Sequence, residues 1–150
     1  MARIAGLEKE QAPWHLRWFY GVMRKMFGKD LTPAKVQMRL PGLVWGGVAM
    51  EAALGRKRLV SLRYIQLGKI RAVLGQDMTT FNATEQLVIE LTDAMTDTPA
   101  NISDELYARL LNQFSEEQLM QLGGQIAFEN YRARWNRIFN VESDNLYQKT

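Results

Sequence analysis

Phe81-Asn82-Ala83-Thr84-Glu85, Leu91-Thr92-Asp93-Ala94-Met95-Thr96-Asp97-Thr98-Pro99, Phe114-Ser115-Glu116-Glu117-Gln118-Leu119 and Ile126-Ala127-Phe128-Glu129-Asn130-Tyr131-Arg132-Ala133-Arg134-Trp135-Asn136-Arg137 carry the reading of the fold. Asn82 with Glu85, and Ser115 with Gln118, both fit the capping box, in which side chain and backbone satisfy one another's orphan donors. Phe114 and Leu119 stand where a hydrophobic staple closes over the second box. Ser103 caps a further helix whose core side is Leu106, Leu110 and Leu111, and Leu87, Leu91 and Met95 make the matching stripe on the helix before it. The passage predicts three capped helices in close succession, the last one long and ending in an arginine–aromatic face.

Working outward, Trp14 to Phe27 predicts a helix with Pro13 at its first turn, Trp14, Trp18 and Val22 at helical spacing, and Gly28 as its terminus. Thr32-Pro33 reads as an N-cap followed by proline, opening a short helix to about Leu40, and Pro41-Gly42 as a break. Leu43 to Leu54 is apolar almost all round and rich in small residues, so burial between other helices is expected. Gly55 closes it. Leu59, Leu62, Ile65 or Gln66, Ile70 and Val73 give the next helix its stripe. No segment alternates with period two, so the expectation is one all-α domain over residues 1–150, a helical bundle of about six or seven helices.

Composition narrows the function classes. At 150 residues, 47% hydrophobic and 23% charged, the chain has the length and balance of one soluble domain with a core. Its net charge of +3 is spread over Arg24-Lys25, Arg56-Lys57-Arg58, Lys69, Arg71 and the Arg132, Arg134, Arg137 set, so no nucleic-acid partner is expected. Without a cysteine there is no disulfide, thiolate metal site or thiol nucleophile. One histidine, His15, excludes a multi-histidine zinc site; no metal and no cofactor are expected. No apolar signal core and no run of eighteen apolar residues is present, so a cytoplasmic protein without a membrane partner is expected.

Leu43-Val44-Trp45-Gly46-Gly47-Val48-Ala49-Met50-Glu51, Leu59 to Gly75 and residues 81–140 resemble the carboxymuconolactone decarboxylase family, which includes the AhpD-type alkylhydroperoxidases. Asn130-Tyr131-Arg132 with Asn136-Arg137 is the most specific portion. The resemblance implies an AhpD-like helical bundle, a homo-oligomer, and a Cys-x-x-Cys pair followed by histidine. In such a pair one thiolate attacks a hydroperoxide or disulfide and the other resolves the intermediate, with a dithiol as reductant, while a glutamate and the histidine move protons.

The chain departs from that pattern where the chemistry sits. Val73-Leu74-Gly75 reaches the edge of the motif, Gln76 to Thr80 follows, and Phe81-Asn82 already begins the next matching part. About a helical hairpin's worth of sequence is missing near 75–81 relative to the family, and Tyr64 stands near the place of the family's glutamate. If the full protein holds that element, the resemblance implies a thiol-dependent hydroperoxide or disulfide reductase. Without it, a non-catalytic binding or structural homologue is implied, ahead of a lactone-acid decarboxylase or a helical nucleic-acid binder. A small-molecule substrate remains an expected partner.

Two residues stand out as catalytic candidates. His15 is the only imidazole, and its reading as a proton shuttle competes with that of an ordinary packed helix residue beside Trp14 and Trp18. Glu51 interrupts an apolar helix; buried and unpaired, its carboxyl would titrate high, whereas an ion pair with Arg56 or a last-helix arginine would make it structural. Glu129, Arg132, Arg134 and Arg137 read as a solvated or oligomer-facing band before an anion site, and Gly123-Gly124 as a place of close helix packing. The tryptophans and methionines are expected mostly in the core.

Overall fold

The computed structural model describes residues 3–74 and 81–141, and among them every regular element is helical. A short 3-10 turn, Trp14–Leu16, leads into α1 (Arg17–Phe27), followed by α2 (Thr32–Gln37), α3 (Pro41–Gly55), α4 (Leu62–Leu74), α5 (Ala83–Thr96), α6 (Asp104–Leu111) and α7 (Glu116–Ile138). The all-α class and the helix number agree with the sequence reading. Packing divides the chain into two compact units, one formed by the chain up to Ala52 and from Arg134 onward, the other by Ala53–Ala133.

In the first unit, Ala12, Leu16, Tyr20, Met23, Met38 and Val44 form the buried cluster. Tyr20 is fully enclosed, and its hydroxyl donates to the Leu7 carbonyl at 2.6 Å, which satisfies the polar tip of a buried ring. Gly28 ends α1 at φ 73°, a left-handed geometry that a Cβ would disfavour, and its N–H closes on the Arg24 carbonyl. Leu31, in extended conformation, is the N-cap of α2, with Thr32 already helical and proline just inside.

In the second unit, Val60, Leu87, Val88, Leu91, Leu106, Leu110, Phe114, Leu122 and Ile126 are buried together, with Met95 and Leu119 packed against them. The Asn82–Glu85 capping box is complete in both directions. At the second box, Gln118 N–H donates to Ser115 Oγ at 3.3 Å and Ser115 N–H donates to Gln118 Oε1 at 2.9 Å. Ser103 Oγ accepts the Leu106 N–H as expected. Gly68 lets α4 approach its neighbours closely: a methyl group there would lie 3.1 Å from Ile126 Cγ1 and 3.4 Å from Thr92 Oγ1. Gly124 does the same against Leu54, at 3.0 Å, whereas a methyl at Gly123 would meet nothing.

Three expectations are corrected. The helix read as buried between others, α3, has only Val44 buried among its fifteen residues. Pro41-Gly42 opens that helix instead of breaking the chain, because proline's fixed φ suits a first turn. Trp14, Trp18 and Trp45 are exposed at 82%, 50% and 45%, so the first helix buries the Leu16–Tyr20–Met23 side and turns its tryptophan stripe outward. Residues 75–80, where the sequence departs from the pattern it resembles, and the side chains of Ile70 and Val73 lie outside the described residues.

Candidate functional site

The most enclosed charge among the described residues is Glu85, in the first turn of α5 and 2% exposed. One carboxylate oxygen accepts the Asn82 backbone N–H at 3.0 Å, and the other is hydrogen-bonded and ion-paired to the Arg63 guanidinium. The Asn82 N–H, helped by Arg63 and opposed by burial, holds the carboxyl below the ordinary glutamate range. A carboxylate so engaged has no proton to give near neutrality, so its work is to close the start of α5 and tie Arg63 of α4 to it. Beside Arg63, Tyr64 packs edge-on against Phe114 with ring centroids 5.7 Å apart. Tyr64 is thus a partly buried aromatic packed against the core of the second unit.

A second polar constellation is built on α7. Gln121 Oε1 accepts the N–H groups of Leu59 and Val60 at 2.9 and 3.0 Å, and its Nε2 donates to the carbonyls of Leu54 and Lys57, both at 2.7 Å. Gln118 Nε2 adds a bond to the Leu59 carbonyl. One amide therefore clamps the connection between α3 and α4, meeting the Leu54 carbonyl in the last turn of α3 and three backbone groups of the connection itself. One turn on, Gln125 is 5% exposed and its Nε2 has no hydrogen-bond partner.

The sequence-selected candidates are in the first unit, on different elements. His15 lies in the 3-10 turn, partly exposed; Trp14 meets it edge-on at 5.6 Å, and its backbone carbonyl accepts the Trp18 indole N–H at 2.8 Å. Trp18 in turn lies 6.1 Å from Trp45, ring to ring. Glu51 is exposed near the end of α3 and is not enclosed in apolar surroundings as the sequence reading allowed. On α7, Arg132 pairs with Glu129 at 3.7 Å and lies 5.8 Å from the Phe128 ring centre, with Tyr131 stacked on that ring. These contacts give the arginine–aromatic face a packing role along its own helix.

A surface depression of about 270 Å³ is lined by Ala83, Thr84, Leu87, Arg109, Asn112 and Gln113. Arg109 is held there by two bonds to Glu90, at 2.9 and 2.7 Å. Among the described residues no three His, Asp or Glu side chains converge as a metal site would require, and no helix is long and apolar enough to cross a membrane. Sequence reasoning found Glu85 only as a capping residue and missed Gln121, whose partners lie 61 to 67 residues away and leave no local signature.

No family description matches the chain, and no curated protein matches it in sequence. Among solved structures it is similar to the debrominase Bmp8, crystallised as a cysteine-to-alanine variant in complex with 2,3,4-tribromopyrrole. The superposition has a TM-score of 0.77, covers 95% of this chain and 92% of that one, and matches 14% of residues identically. At that identity the likeness is one of fold alone.

Proposed function

We propose that this chain is a binding or structural protein on an AhpD-like helical fold, working without thiol redox chemistry. The observation that carries the reading is the absence of cysteine from all 150 residues. A hydroperoxide or disulfide reductase of the AhpD type must cycle between thiolate and disulfide, and no other side chain can do so. Methionine oxidises but needs a separate reductase to return. The polar groups that are enclosed support the same reading, since Glu85 and Gln121 spend their hydrogen-bonding capacity on backbone and on Arg63. The debrominase of similar fold holds a small halogenated aromatic with its cysteine replaced by alanine, which supports binding as a property this fold keeps when the thiol is gone.

The test is peroxide consumption with a dithiol reductant, comparing the chain with a version carrying a Cys-x-x-Cys hairpin after Gly75. No turnover above the reductant alone is expected from the chain, and turnover is expected only after the graft. Sustained turnover by the cysteine-free chain contradicts the proposal.

A further inference from the structure

We propose that the first unit docks on an anionic lipid surface through the exposed rings of Trp14, Trp18 and Trp45, with Lys25 set among them. Lys25 lies two turns on from Trp18 and so on the same face of α1, and Met26 beside it is 68% exposed. Trp14, in the turn before α1, is 82% exposed, and Trp45 of α3 lies 6.1 Å from Trp18, ring to ring. Indole rings and lysines mixed on one face suit the boundary of a bilayer, where the ring settles at headgroup level while the ammonium stays with the phosphates. The indole N–H of Trp18 is already spent on the His15 carbonyl at 2.8 Å, so that ring can leave water with no donor unpaired.

Charge selects an anionic surface. Eleven of the nineteen lysines and arginines belong to the first unit against six of the sixteen carboxylates, a net of +5, leaving eight against ten in the second. The +3 of the whole chain hides this contrast. Of the first unit's carboxylates, Glu8 is paired with Lys35 and Asp30 with Arg24. Among the described residues Lys25 and Arg17 meet no carboxylate, and Arg17 turns to the Ala12 and Glu10 carbonyls. An anionic leaflet attracts such a surface over about 8–10 Å at ordinary salt. Shape selects lipid. A protein partner would need a pocket to receive a ring as prominent as Trp14, and a nucleic-acid strand would gain nothing from Met26. A lipid boundary takes both without a matching shape, and a helix lying on it needs one apolar face, not the length to cross.

The test is binding of the chain to vesicles of phosphatidylcholine alone and of phosphatidylcholine with about 30% phosphatidylserine, read by cosedimentation and tryptophan emission. Binding to the mixed vesicles with emission shifted to the blue is expected, weakening as salt rises from about 0.05 to 0.5 M, with much less binding to the neutral vesicles. Trp14→Ala is expected to keep the helical circular dichroism and melting midpoint, since the position is so exposed, and to weaken binding about tenfold. Lys25→Gln is expected to weaken it about fivefold. Failure to bind the mixed vesicles, or binding that both variants keep in full, overturns the proposal. So does tighter binding to a single-stranded oligonucleotide than to the vesicles. Emission already blue and sheltered from acrylamide in the free chain also overturns it, because the rings are then covered by another copy. If Trp14→Ala does not fold, lipids brominated in the acyl chain decide: quenching of the unaltered chain's tryptophans is expected, and its absence overturns the proposal. No readout here involves peroxide, so the redox reading stands or falls separately.

Discussion

Glu85 and Gln121 are the side chains on which the second unit depends most for polar order. Glu85 titrates below the free glutamate value of 4.5, so on acidification the unfolded chain takes up the proton first. Its contribution is whole above that value and is lost as pH falls through the folded one. Asp30 and Glu117 are lowered too, by Arg24 and by Ser115 respectively, so the difference between variants isolates Glu85. Glu85→Gln is expected to be less stable near pH 7 and to lose less further stability between about pH 5 and pH 3 than the unaltered chain. Urea midpoints at both ends of that range check it. Gln121→Ala strips partners from four backbone groups and is expected to cost about 1–3 kcal/mol, read as a lowered urea midpoint at unchanged slope. Glu85 was half visible in the sequence, because its capping partner is three residues away; Arg63, twenty-two residues back, was not. His15 and Glu51 drew notice by rarity and by contrast with their neighbours, and neither signal carries information about three-dimensional partners.

Among the elements, the helix starts were the most legible. Asn82, Ser103 and Ser115 each reach the N–H three residues on, so cause and effect lie within one turn of sequence. Asn82→Ala is expected to cost about 0.5–2 kcal/mol, measured by the shift of the thermal midpoint. The end of α1 was equally local. Gly28→Ala forces a Cβ into the left-handed region, costing on the order of 1–2 kcal/mol by the same measurement. The burial of α3 was not legible, because apolarity all round says that a helix will be covered and not by what. Its surface inside the chain is left largely open, with Trp45 and Met50 each close to half exposed. The stripe of Trp14 and Trp18 misled for the same reason: helical spacing identifies a face, and the competing face of Leu16, Tyr20 and Met23 took the core.

At the scale of the whole molecule, fold and chemistry part company. The helical order survives a TM-score of 0.77 against a debrominase at 14% identity, since packing tolerates replacement by side chains of similar size and polarity. Thiol chemistry has no such tolerance; one sulfur-bearing pair either is in the chain or is not. What was legible of function in the sequence was therefore mainly an exclusion, and two of the enclosed polar side chains, Glu85 and Gln121, are engaged in tying separate segments together. The central claim predicts a bounded stoichiometry. The chain is exposed to excess hydroperoxide with a dithiol present, and peroxide consumed per chain is counted above the reductant background, with oxidised products identified by intact mass. Consumption that stops at or below eight equivalents, one for each methionine, with sulfoxides as the products, is the predicted result. Consumption that continues steadily past that limit while the chain's mass stays unchanged would contradict the account.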